Sequence, residues 1–84
     1  MEINYKLLIE RLNGLDRYAQ LVNYINQMQG DSAAKLDYVA AASALNVDRR
    51  TIGRYVWALV DRQVLTLVKG GKLKINSEIF IEAV

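Results

Sequence analysis

The chain contains no cysteine, no proline and no histidine among its 84 residues. Without cysteine there is no disulfide framework and no thiolate metal site, and without histidine no imidazole metal site. That usage fits a reducing cytoplasm. No apolar run approaches the roughly 18 residues of a membrane span, and the N-terminus lacks the layout of a signal peptide. A soluble, cytoplasmic chain with no membrane or metal partner is therefore expected. The usual marks of catalysis are missing too. There is no nucleophile–base pair, no glycine-rich phosphate loop followed by Lys-Ser/Thr, and no carboxylate pair in apolar surroundings. A catalytic site needs convergent groups, so no enzyme and no cofactor are expected. Asp37, Asp48 and Asp61 read instead as helix caps and helix-surface charges.

What is present is apolar and unevenly charged. Hydrophobic residues make up 52% of the sequence, more than a disordered chain carries and enough for one small domain with a single core. The formal net charge is only +2, but residues 46–76 hold seven basic residues against two acidic ones, a net of +5. Residues 1–45 net −1 and residues 77–84 net −2. Positive charge concentrated in one third of a chain is the footprint of a phosphate-binding surface.

The basic stretch is also the most patterned. Asp48 is placed to cap a helix, its carboxylate accepting from the backbone N–H of Arg50 or Thr51 and lying at the positive end of the helix dipole. Beyond it, Ile52, Val56, Leu59 and Gln63 fall at i, i+4, i+7 and i+11, one narrow face available for burial. The opposite face carries Arg50, Arg54, Trp57 and Asp61, with Gly53 beside it. Guanidinium groups so placed can grip phosphate or fork onto guanine edges in a DNA major groove. The period then changes. Residues 64–69 and 72–75 are β-prone runs on either side of Gly70-Gly71, which reads as a hairpin with a two-residue loop. In that register Lys69 pairs with Lys72, Val68 with Leu73, Leu67 with Lys74 and Thr66 with Ile75. Thr66, Val68, Leu73 and Ile75 then share one face, and Lys69, Lys72, Lys74 and Leu67 the other. The three lysines repel one another, and a polyanion would relieve that repulsion. Leu67 fits poorly among them; a bulge or an interface would explain it.

The run Leu36-Asp37-Tyr38-Val39-Ala40-Ala41-Ala42-Ser43-Ala44-Leu45-Asn46-Val47-Asp48-Arg49-Arg50-Thr51-Ile52, continued to the glycine-tipped hairpin, resembles a winged helix-turn-helix. It is similar to the bacterial repressor and biotin-repressor-like branch of that superfamily. The match spans about residues 15 to 75. It rests on small Ala42 where two helices would cross, Leu45 ending the first helix, Val47 in the turn, and Asp48 capping the second. Two departures are visible. Ala41 is smaller than the usual leucine, and Asn46 replaces the commoner glycine, a role asparagine fills because it accepts the left-handed conformation. The resemblance implies a mainly α fold with a small β-hairpin, a winged helix-turn-helix with an extra N-terminal helix. It also implies double-stranded DNA as partner. The helix beginning after Asp48 would enter the major groove, with Arg50 and Arg54 on base edges and Arg49 and Thr51 on phosphate. Gly53 would permit close approach or be a merely tolerated helix glycine. Trp57 would stack on sugar, bracket a thymine methyl, or pack against hairpin or partner. Lys69, Lys72 and Lys74 would hold flanking phosphate or reach the minor groove.

The flanks are less informative. Residues 1–14 are expected to form an N-terminal helical extension capped by Asn4 and serving as a candidate dimer contact, 15–76 the main domain, and 77–84 a final turn or strand with a candidate interface. Gly14 would bend the chain, Asp16 cap the second helix, and Gly30 close it in the left-handed conformation. Leu8, Leu12, Leu15, Ala19 and Val22 form a heptad-like stripe if the helix is continuous, and such leucines lean the expectation toward a homodimer. Lys35-Leu36 is a candidate short strand beside the hairpin, and Asp37 caps the helix that follows. Three functions compete: a transcriptional regulator, nucleoid-associated when bound; a DNA-binding factor in plasmid or viral replication or segregation; and a winged-helix module that binds protein.

Overall fold

The computed structural model describes residues 2–13 and 17–81. Among these, four helices come first: α1 (Tyr5–Leu12), α2 (Arg17–Gln29), α3 (Tyr38–Leu45) and α4 (Arg49–Asp61). An antiparallel hairpin of β1 (Leu65–Val68) and β2 (Lys72–Ile75) follows, then a single 3₁₀ turn at Ser77–Ile79. The chain is thus mainly helical with a small two-stranded sheet, as its periodicities imply. No described helix is long and apolar enough to cross a membrane.

The helix boundaries follow local chemistry. Asn4, Asp37 and Asp48 each turn a side-chain oxygen onto an otherwise unpaired first-turn amide, those of Leu7, Ala40 and Arg50 at 3.2, 3.1 and 2.8 Å. At the other ends, Gly30 closes α2 with φ +59°, and Asn46 closes α3 with φ +56°. The end of α3 is a Schellman closure: the Val47 amide donates to Ala42 O and that of Asn46 to Ser43 O, which brings Val47 against the core. Asn13 ends α1 in the left-handed region, so the helix does not continue through residue 13. The bend expected at Gly14, the stripe position Leu15 and the cap expected from Asp16 lie outside the described residues.

One apolar core joins every element. Leu8 and Leu12 of α1, Leu21, Val22 and Ile25 of α2, and Ala41 and Ala42 of α3 are buried with Ile52, Val56 and Leu59 of α4. Val64, Leu65, Leu73 and Ile75 close it from the hairpin side, and Ile3, Ile79 and Phe80 from the chain ends. Among the described residues no polar or charged side chain is buried. Of the stripe that suggested an extension free to contact a second chain, Leu8, Leu12 and Val22 lie inside the molecule and Ala19 packs against its core. Ile3, Leu8 and Leu12 cover this domain's own core, and of the apolar side chains on α1 Tyr5 and Ile9 remain about half exposed. After the hairpin, Ile79 and Phe80 are buried and Ile81 is half exposed: Ile3 bridges Phe80, the Asn4 amide donates to Ile79 O at 2.7 Å, and that of Ile81 to Glu2 O at 3.0 Å.

The hairpin register differs from the expected one. Leu65 pairs with Ile75, Thr66 with Lys74, Leu67 with Leu73 and Val68 with Lys72, so the loop is residues 69–71 rather than 70–71. Both glycines take positive φ, +86° and +74°. The shift by one residue gathers Leu65, Leu67, Leu73 and Ile75 on a single face, which is the arrangement a buried face selects. Leu67 moves off the lysine face, yet it stays 53% exposed while its cross-strand partner Leu73 is buried. The extra strand contact comes from Ala34, one residue before the expected Lys35-Leu36; Ala34 and Leu73 exchange amide–carbonyl bonds of 3.0 and 2.9 Å. Gln63, expected on the inward face of α4, lies beyond the helix end and is exposed, with φ +62°.

Candidate nucleic-acid interface

Two consecutive helices and a tight turn set the geometry. The left-handed Asn46 reverses the chain after α3, and Asp48 restarts it as α4, its own carbonyl accepting from the Thr51 amide at 2.9 Å. Small Ala41 and Ala42 are buried on the inner face of α3, which packs against α4. Ile52, Val56 and Leu59 hold α4 by one face, which turns the opposite face to solvent. Tyr55 flanks the core, its ring edge-to-face with that of Tyr18 at 4.7 Å between centroids.

The outward face carries what the helical period implies. Arg49, Arg50 and Arg54 are exposed, and Thr51 and Gly53 are half-buried beside them. Arg50, Arg54 and Trp57 fall within one narrow stripe at 100° per residue. Among the described residues, the guanidinium groups of Arg49, Arg50 and Arg54 make no hydrogen bond or ion pair within the chain. Trp57 is 61% exposed, so packing within its own chain does not account for it. At Gly53, a Cβ would meet only the Tyr38 ring, at an ordinary 3.8 Å. The fold therefore does not itself require glycine at this position.

The lysines form a second group. Lys69 lies in the loop and Lys72 opens β2, both exposed, while Lys74 is half-buried nearer the hairpin root. Lys72 and Lys74 share the hairpin face opposite Leu73 and Ile75. Lys74 lines a groove of about 270 Å³ with Thr66, Asn76, Ser77 and Glu78. The charge count of residues 46–76 overstates the available surface by one. The Arg62 Nη1 group donates to Arg11 O and Leu12 O at 3.2 and 3.3 Å, closing the carbonyl end of α1.

Two features had no signal in the sequence. Tyr38, the first residue of α3, lies against Gly53 on the candidate face, a contact that depends on how two helices meet. A second groove of about 410 Å³ runs between α2 and the end of α3, lined by Gln20, Asn23, Tyr24, Gln27, Ala44, Leu45 and Asn46. Its polar groups are uncharged amides and one phenol, suited to hydrogen bonding rather than to acid–base work.

Comparison with known proteins finds no family model, no curated protein and no solved structure that matches this chain.

Proposed function

We propose that this chain is a sequence-reading binder of double-stranded DNA of the winged helix-turn-helix kind, acting as a transcriptional regulator. The observation that carries the reading is the outer face of α4: three arginines in its first two turns, all exposed and without a partner among the described residues. Unpaired guanidinium groups on a rigid helix can grip phosphate and fork onto guanine without first breaking an internal contact. In this reading α4 is the recognition helix, with Arg50 and Arg54 on base edges and Arg49 and Thr51 on phosphate. Gly53 keeps the helix surface low where the backbone must come close. Trp57 trails Arg49 by eight residues, about 12 Å along the helix. On the stripe of Arg50 and Arg54, its exposed ring is free to stack on sugar or meet a thymine methyl. Lys69 and Lys72 meet the flanking backbone, and Lys74 supports them.

Selection from a random duplex library at two salt concentrations tests the proposal. Enrichment of one site, with affinity falling steeply as salt rises, is the expected result, and the symmetry of that site reports whether two copies bind. Salt-sensitive binding without enrichment points to an architectural or replication role. Exposure of Trp57, Val39 and Leu67 favours a second reading, a winged-helix surface that docks protein. That reading requires Arg50 and Arg54 to be dispensable and predicts no duplex binding at low salt.

A further inference from the structure

The hairpin leaves α4 through Gln63, a non-glycine residue held at φ +62°. It is the left-handed residue of a Schellman closure of α4, the Val64 amide donating to Leu59 O at 2.9 Å and that of Gln63 to Val60 O at 3.1 Å, and side chains remote in sequence then brace its carbonyl. The Gln63 carbonyl accepts from two side chains remote in sequence, Arg11 Nη1 and Asn76 Nδ2, each at 2.5 Å. The same Arg11 nitrogen pairs with Glu78 Oε1 at 2.9 Å. Asn76 in turn meets the Thr66 hydroxyl, and its amide donates to Val64 O at 2.9 Å. Arg62, next to Gln63, is pinned to the carbonyls of Arg11 and Leu12. The last turn of α1, the 3₁₀ turn and the hairpin root thus converge on the residues that set the hairpin's direction from α4.

We infer that Arg11 and Glu78 are positioning residues for nucleic-acid binding: by fixing the Gln63 carbonyl they set the angle between the hairpin and α4, so that Lys69 and Lys72 meet phosphate while the α4 arginines meet the groove. The inference rests on the DNA-binding reading above. Arg11 is itself basic, but its charge faces Glu78 and its side chain is only 24% exposed, so it acts through the hairpin rather than on phosphate.

The sign of one substitution separates this from simple electrostatics. Glu78→Ala removes a negative charge, which by charge alone tightens binding to a polyanion. The positioning role requires the opposite: weaker binding to the selected duplex, with the salt slope reduced by about 0.9 for each lysine that no longer reaches phosphate. Arg11→Ala should match it, and the double variant should bind no worse than either single one, because the two residues act as a unit. Lys72→Ala should flatten the salt slope in the wild-type background and leave it unchanged in Arg11→Ala. Residual dipolar couplings of the free protein test the clamp without DNA. In Glu78→Ala those of residues 65–75 should shrink while those of α4 stay as in wild type. Tighter binding by Glu78→Ala, additive losses with Lys72→Ala, or unchanged hairpin couplings would each overturn the inference. A wild-type chain that binds no duplex overturns the DNA reading instead, and the couplings then report separately on the clamp.

Discussion

Arg54→Ala separates recognition from folding on one helix. Arg54 is exposed and has no partner among the described residues, and arginine and alanine are both good helix formers. Its removal should therefore change stability by no more than about 0.5 kcal/mol, a shift in Tm of at most about 2–4 °C for a domain of this size. Leu59, five residues along and turned inward, is fully buried. Leu59→Ala should lose about 2.7–5 kcal/mol, lowering Tm by more than about 10 °C. Binding is expected to show the reverse asymmetry. A good arginine–guanine pair is worth about 1–3 kcal/mol of discrimination, which corresponds to a loss of roughly 5- to 150-fold in affinity for the selected duplex. Fluorescence anisotropy titration at fixed salt measures the loss, and circular dichroism melts measure the stability. Arg54→Ala binding the selected site within twofold of wild type would refute the groove assignment. An equal loss on all sequences would instead reassign Arg54 to phosphate.

Three further outcomes are expected. Because the chain has no cysteine, engineered pairs report the hairpin register directly: Val68→Cys with Lys72→Cys should oxidise to a disulfide more readily than Lys69→Cys with Lys72→Cys, as measured by mass spectrometry. Gly53→Ala should raise stability by about 0.5–1 kcal/mol, since a Cβ there makes only an ordinary contact with Tyr38, yet weaken duplex binding; a melt and a titration on the same sample check both. Self-association, where it rests on α1, draws only on Tyr5 and Ile9. Four such half-exposed side chains across a twofold, at about 1 kcal/mol each, only match the lower bound of about 4 kcal/mol that association costs. Tyr5→Ser with Ile9→Ser should therefore leave the association state seen by sedimentation equilibrium unchanged, and a dimer that this pair dissociates would refute that estimate.

The features legible in the sequence are those decided within a few residues. Asn4, Asp37 and Asp48 cap helices because a short polar side chain reaches the first-turn amides from its own position. Gly30 and Asn46 end helices because few residues adopt positive φ cheaply. The inward face of α4 is visible as Ile52, Val56 and Leu59, and the outward arginines follow from the same period. The tertiary structure decided everything that depends on which distant surface covers an apolar stripe. A leucine stripe on α1 reads the same whether it meets a second chain or its own core, and only packing against α2 and the chain ends turned Leu8 and Leu12 inward. The hairpin slipped by one residue because Gly70-Gly71 permits either loop locally, while burial of Leu65, Leu73 and Ile75 on one face permits a single register. Arg11, Glu78 and Asn76 carry no local signal at all. Their meeting at Gln63 spans up to 67 residues of sequence, a separation that only a closed fold brings within hydrogen-bonding distance.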